Sequence, residues 1–254
     1  MRTRALTSRS WKVLCCLGSL TLVRCGAEID SGEDLGPYAE QMPWAEYMAT
    51  ATMDTVSGVA DSSACTTAAI RGLSDQLVAE MNCIKGGLMT NVSTYNVSLG
   101  GAALPYLQNP AAAALNRATS GRSRLSINST LRTVAQQWIL YNWYQTKRCG
   151  VALAAKPGDS NHEDGLAFDT SDYSSWKTTL ASYSYRWLGS SDVVHFDYVG
   201  TGGTDAKGVL AFQRLWNKNN SGDRIGEDGV YGPQTEARIK KSPRTGFAIG
   251  STCK

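Results

Sequence analysis

Ser160-Asn161-His162-Glu163-Asp164-Gly165-Leu166-Ala167-Phe168-Asp169 is the stretch that decides how this chain folds. A Pro157-Gly158 turn leads into it, and its polar half gives way to the apolar run Leu166–Phe168, which ends on a carboxylate. An apolar run bounded by turn residues reads as a short strand. His162 and Asp169 therefore fall at the rims of one loop-and-strand unit. Further along, Asp192-Val193-Val194-His195-Phe196-Asp197-Tyr198-Val199-Gly200 repeats the arrangement, with Asp192 three residues ahead of His195 in a β-rich run. His162 and His195 are the only histidines in the sequence.

Two histidines and an aspartate at strand rims suit a catalytic zinc site. Such a site takes three protein N or O ligands and leaves a fourth position for water. The ion acidifies that water and polarises a carbonyl. A carboxylate that does not ligate must then accept the water's proton and pass it to the leaving group. Candidates for each role are present.

The two stretches resemble the zinc D-alanyl-D-alanine carboxypeptidases and related D,D- and L,D-peptidases, a family that shares a small α+β fold with hedgehog signalling domains. The family's S-x-H-x-x-G-x-A-x-D signature is matched at each fixed position by Ser160 to Asp169. Its acidic-x-x-H strand signature is matched by Asp192 to His195, continuing as Phe196-Asp197-Tyr198-Val199-Gly200. A third signature, S-x-x-R-[ST] with a glutamine beyond, is matched by Ser129-Thr130-Leu131-Arg132-Thr133 and Gln137. The resemblance implies His162, Asp169 and His195 as Zn2+ ligands, Asp192 as general base and acid, and Arg132 as the group that steadies charge on the carbonyl oxygen. It also implies substrate contacts from Gln137 and Ser160. The chain departs from many members in having Asp192 where they have glutamate, and Val193 and Val194 where they have proline or tryptophan.

Glu163, Asp164 and Asp197 lie close to these positions. Asp197 shares a strand face with His195, which suits an acidic group that orients an imidazole. Glu163 and Asp164 are expected on a solvated loop. Trp138, Trp143, Trp176 and Trp187 are expected mainly in the core.

Charge locates the chemistry. Of 25 Lys and Arg residues, five (Arg2, Arg4, Arg9, Lys12 and Arg24) precede residue 28, where no Asp or Glu occurs, leaving 20 against 22 acidic residues, a balance of −2. No global basic field draws the rest of the chain to nucleic acid. The apolar stretch Val13–Val23 has 11 residues, short of the roughly 20 that cross a bilayer, and with its cationic flank it reads as an export signal over residues 1–27. Cys25 stands where a lipoprotein would be acylated, but Arg24 occupies a position that favours a small residue, so a periplasmic or secreted product is the expectation. Cys65, Cys83, Cys149 and Cys253 then form an even set in an oxidising compartment, without a CxxC pair, which favours two disulfides. Three connectivities are open; Cys65 with Cys83 and Cys149 with Cys253 is the one favoured.

The remaining segments read as α+β: a small antiparallel sheet with flanking helices, plus a small C-terminal helical unit. Residues 28–64 read as an acidic and polar arm, and 65–200 as the catalytic domain, with the motifs in 120–200. Helices are expected over 66–81, from Pro110, over 131–147 and around Trp176. Strands or a hairpin are expected in 90–101, and strands over 126–130, 151–155, 166–169 and 193–199. Gly200–Gly203 forms a joint to residues 205–247. There a Gln213-bearing helix and the Asp228-Gly229-x-Tyr231-Gly232-x-x-Thr235 turn resemble a peptidoglycan-binding module, so the cell wall is the partner that the resemblance implies. The function so indicated is D-alanyl-D-alanine carboxypeptidase. Alternatives are an L,D- or D,D-endopeptidase, or a non-catalytic wall-binding protein on the same fold.

Overall fold

The computed structural model describes residues 53–253; the export signal, Cys25 and most of the arm lie outside them. Among the described residues the helices are α1 (Val56–Asp61), α2 (Arg71–Ile84), α3 (Asn109–Thr119), α4 (Val134–Gln145), α5 (Tyr173–Ala181), α6 (Gly208–Asn219) and α7 (Pro233–Lys241). The strands are β1 (Met89–Asn91), β2 (Val97–Leu99), β3 (Tyr106–Gln108), β4 (Leu125–Ile127), β5 (Ala167–Asp169), β6 (Tyr185–Trp187) and β7 (His195–Tyr198). None of these helices is long and apolar enough to cross a membrane. The fold is α+β.

Local signals explain the main boundaries. Thr133 caps α4: its hydroxyl accepts from the Gln136 N–H while the Gln136 side chain accepts from the Thr133 N–H, a reciprocal arrangement that satisfies two otherwise orphaned donors. Helices α3 and α7 open with proline in the first turn, where a missing N–H costs nothing. On α2, Leu73, Leu77, Val78 and Met81 are buried at helical spacing.

Two of three clusters of buried apolar residues carry most of the core. Helices α1, α2, α4, α6 and α7 share one, built around Leu73, Trp138, Trp143, Phe212, Trp216 and Ile239. The other lies where α3 and α5 cover the antiparallel sheet β5-β7-β6. There Phe168 and Phe196, opposite each other in register, stack at 5.6 Å. Both are fully buried, and burial of such a ring stabilises by roughly 1.5–3 kcal/mol.

Several expectations are corrected. The disulfides are Cys65–Cys149 and Cys83–Cys253. A Cys65–Cys83 bridge is disfavoured because Cys83 stands in the last turn of α2, roughly 18 Å along the helix from its start near Cys65, whereas bridged Cα atoms lie within about 7 Å. The expected arm gives way to α1 inside its own span. Val56, Val59 and Ala60 are buried, the Val56 N–H donates to the Ser242 carbonyl, and Arg148 donates to the carbonyls of Ala60, Asp61 and Ser62. Segment 90–101 is no hairpin: β1 pairs antiparallel with β3, and β2 pairs parallel with β4. Within residues 205–247, α6 and α7 pack into the same core as α1, α2 and α4, and the Cys83–Cys253 bridge ties down the chain beyond α7. Residues 151–156 form no ladder at all.

Gly72 records how closely the C-terminal segment crosses α2. A Cβ there would lie 2.2 Å from the Thr245 carbonyl oxygen and 2.7 Å from its carbon, and Leu73 N–H donates to the Arg244 carbonyl beside it. Backbone cannot yield as a flexible side chain can. Gly72→Ala is therefore expected to destabilise by about 1–3 kcal/mol, whereas Gly86→Ala, which meets open space, should stay within about 0.5 kcal/mol of the parent; thermal unfolding of both proteins checks this.

Candidate functional site

The antiparallel register of β5 and β7 places Asp169 directly opposite His195. Side chains of such a pair stand on the same sheet face, about 5 Å apart at Cβ. His162 enters from the Asn161–Gly165 turn before β5. Gly165 adopts φ +64°, and a Cβ there would press on Met89 Sδ at 3.0 Å and the Gln108 nitrogen at 3.1 Å, so the tight return requires glycine. The His162 carbonyl accepts from both the Gly165 and the Arg132 N–H groups, which fastens the turn to the loop ahead of α4.

Three donor atoms converge: His162 Nε2 lies 3.2 Å from Asp169 Oδ1 and 3.2 Å from His195 Nδ1, and His195 Nδ1 lies 3.1 Å from Asp169 Oδ1. Ligands about 2 Å from a shared ion at near-tetrahedral angles are separated by this kind of distance. Hydrogen bonds on the far side of each ring set its tautomer. His162 Nδ1 meets the Thr130 carbonyl at 2.7 Å, and a carbonyl only accepts, so Nδ1 carries the proton and Nε2 presents its lone pair. His195 Nε2 likewise donates to Asp197 Oδ1 at 2.8 Å, which leaves Nδ1 free to ligate. His162, Asp169 and His195 can thus hold a metal ion.

The surrounding groups act on each of the three donors differently. Burial and the neighbouring Arg132 lower the proton affinity of His162. Burial opposes ionisation of Asp169, but the two imidazoles and Arg132 outweigh it and hold the carboxyl well below its ordinary range. His195 is penalised by burial too, yet hydrogen bonds to Asp169 and Asp197 raise its pKa to about 9. Asp197 is held low against burial by His195, Asn161 and Arg186. The Asn161 amide donates to Asp197 Oδ1 at 2.8 Å, and Arg186 pairs with Oδ2 at 3.0 Å.

Arg132 donates to Ser129 Oγ at 3.0 Å and to Asp169 Oδ2 at 2.6 Å. With 22% of its side chain exposed, it lines a cavity of about 330 Å³ together with Asp169, Asp192 and the chain from Val151 to Ala154. Half-buried Asp192 follows the short 3-10 turn Gly189–Ser191, and its carbonyl accepts from the His195 N–H. The structure therefore brings Arg132 and Asp192 to one cavity beside the three donors. Gln137 and Ser160 behave differently. Gln137 is 1% exposed and donates from Nε2 to the Ala155 carbonyl; Ser160 turns its hydroxyl back to the His162 N–H.

The solvated-loop expectation for Glu163 is overturned. Glu163 is buried, its carboxylate accepts from the Gly158 and Ser160 N–H groups, and burial raises its pKa to about 8 against those bonds. It clamps the turn that delivers His162. Asp164 accepts from the Ala206 N–H at 2.9 Å and so straps the Gly200–Gly203 joint region to the same turn. Nothing in the sequence marks Arg186, which stands on the unanticipated β6, or Gln108 on the unanticipated β3. Gln108 is fully buried and bridges the Asp164 and Thr204 carbonyls.

An α+β domain with a His/Asp/His group able to hold a metal ion is the class that this fold and site define. Residues 105–200 match the family model VanY, D-alanyl-D-alanine carboxypeptidase. The match runs from Pro105, just ahead of β3, to Gly200, just past β7, so it spans Arg132, His162, Asp169, Asp192 and His195. No curated protein and no solved structure matches the chain.

Asp197 touches no donor atom except through His195. Asp197→Ala is expected to weaken divalent-metal binding about 10- to 100-fold, measured by competition with a chromophoric chelator, while the far-ultraviolet circular dichroism stays that of the parent.

Proposed function

We propose that this chain is an exported zinc peptidase that hydrolyses peptidoglycan stem peptides, with release of terminal D-alanine as its reaction. One observation carries the reading: Arg132 and Asp192 share a cavity with Asp169, whose Oδ1 belongs to the converging donor set. A purely structural metal site needs neither a cavity nor an unligated carboxylate beside it. The VanY match over 105–200 supports the substrate class.

His162, Asp169 and His195 would hold Zn2+, which when bound supplies a Lewis acid for the scissile carbonyl and makes water acidic enough to attack near neutral pH. The half-buried Asp192 carboxylate receives the proton of the attacking water and returns it to the departing amine. Arg132 is fixed at two points by Ser129 and Asp169, so it meets the developing oxyanion without reorganising. Burial lowers its pKa, opposed only in part by the Asp169 carboxylate, and a guanidinium stays charged at any working pH.

Two disulfides suit an oxidising compartment, in agreement with the export signal read in residues 1–27. The segment 205–247 would contribute wall contact. Its Gln213 amide holds Asp228, the Val230 carbonyl and Thr235 together, which fixes the Asp228–Thr235 turn in one shape.

The purified chain is expected to carry one zinc per molecule and to release D-alanine from an acyl-D-Ala-D-Ala peptide. Asp192→Ala should lose about 10²- to 10⁴-fold in kcat with its zinc retained, and His162→Ala should lose zinc and activity together. Activity confined to intact peptidoglycan would make the enzyme an endopeptidase; full activity in Asp192→Ala would refute the mechanism.

A further inference from the structure

Val151–Ala155 has the composition of a strand and lies beside the site, yet it joins no sheet. From Val151 to Lys156 the chain runs without helix, turn or bend. Both ends are pinned. The Cys65–Cys149 disulfide anchors the approach, the Val151 N–H donates to the Arg148 carbonyl, and the Ala155 carbonyl accepts from Gln137 Nε2 at 2.9 Å. Gln137 is itself buried, and its Oε1 has no hydrogen-bond partner among the described residues. A segment pinned at both ends loses little further entropy when something pairs with it.

Val151 bonds back to Arg148 and Ala155 to Gln137 of α4. Between them, among the described residues, the N–H and C=O groups of Ala152, Leu153 and Ala154 have no hydrogen-bond partner. An unpaired strand edge of this kind is a template for an added strand. Its alanines leave room for a second backbone to approach.

The strip also joins two cavities. Val151, Ala152, Leu153 and Ala154 line the cavity of about 330 Å³ that holds Arg132, Asp169 and Asp192. Val151 and Ala152 also line a neighbouring cavity of about 470 Å³, whose one lining cation among the described residues is Lys147. The path therefore leads from the reacting groups, along an open backbone edge, to a positive charge that suits the side carboxylate of a stem peptide.

Resting on the peptidase reading above, we infer that the stem peptide docks as an added β-strand on Val151–Ala155, hydrogen-bonded to the backbone of Ala152 and Ala154. Binding through main-chain groups takes up the peptide in extended form and holds several residues ahead of the cut bond. The strip thereby favours stem-length substrates over short acyl dipeptides.

Amide exchange in zinc-loaded Asp192→Asn protein, which leaves peptide uncut, tests this with a stem pentapeptide ending in D-Ala-D-Ala. Exchange at the Ala152 and Ala154 amides is expected to slow at saturation. In otherwise unmodified protein, Ala152→Pro removes one N–H and should raise KM for the pentapeptide about 2- to 10-fold with kcat unchanged, a split that general misfolding would not give. Unchanged exchange at both amides under saturating peptide, with cleavage by the unmodified protein intact, overturns the docking and leaves the peptidase reading standing. Slowed exchange in a protein that cleaves nothing keeps the docking and removes the peptidase reading. Absence of any peptide binding refutes the docking outright.

Discussion

The pairing of Asp169 with His195 across β5 and β7 is the constraint on which the site rests. Asp169 gives one carboxylate oxygen to the converging imidazoles and the other to Arg132. Its backbone N–H and C=O meanwhile bind Ser129 and Asn128, so a single residue ties the sheet to the loop ahead of α4. A slip of one residue in that register would carry Asp169 to the opposite face. The stacked Phe168–Phe196 pair on the buried face resists the slip. Core packing on one face of the sheet thus sets the chemistry on the other.

The site also depends on the helical body. Arg132 sits just ahead of the Thr133 cap of α4, and its backbone N–H holds the His162 carbonyl. Glu163 and Asp164, next in sequence to His162, reach in opposite directions, to the Gly158–Ser160 turn and to Ala206. The chain beyond β7 therefore stabilises the turn that bears a donor, whatever else it contacts. It fits the core that α6 and α7 share with α1, α2 and α4.

The convergence of His162, Asp169 and His195 was legible because the spacing is local: His162 to Asp169 is one turn and one strand, and Asp192 to His195 one turn. Asp197 was legible through the two-residue period of β7. What escaped depends on pairings between distant segments. Arg186 and Gln108 stand on three-residue strands too short to show periodicity. The disulfide pattern was decidable in part, since a helix expected between Cys65 and Cys83 already separates them too far to bridge. Glu163 looked solvated because a charged loop residue usually is; two backbone donors in the same turn make its burial tolerable. The 151–155 run has the composition of a strand, but no property of its residues says that its neighbour is missing.

Unequal use of the two imidazoles is the most specific consequence of this geometry, because Thr130 and Asp197 leave different ring nitrogens free. Anomalous diffraction at the zinc edge from zinc-loaded crystals tests it directly. One peak is predicted, about 2 Å from His162 Nε2, Asp169 Oδ1 and His195 Nδ1, with Asp197 still bonded to His195 Nε2. A peak on His195 Nε2 that displaces Asp197, or full zinc occupancy elsewhere on the chain, would contradict the account.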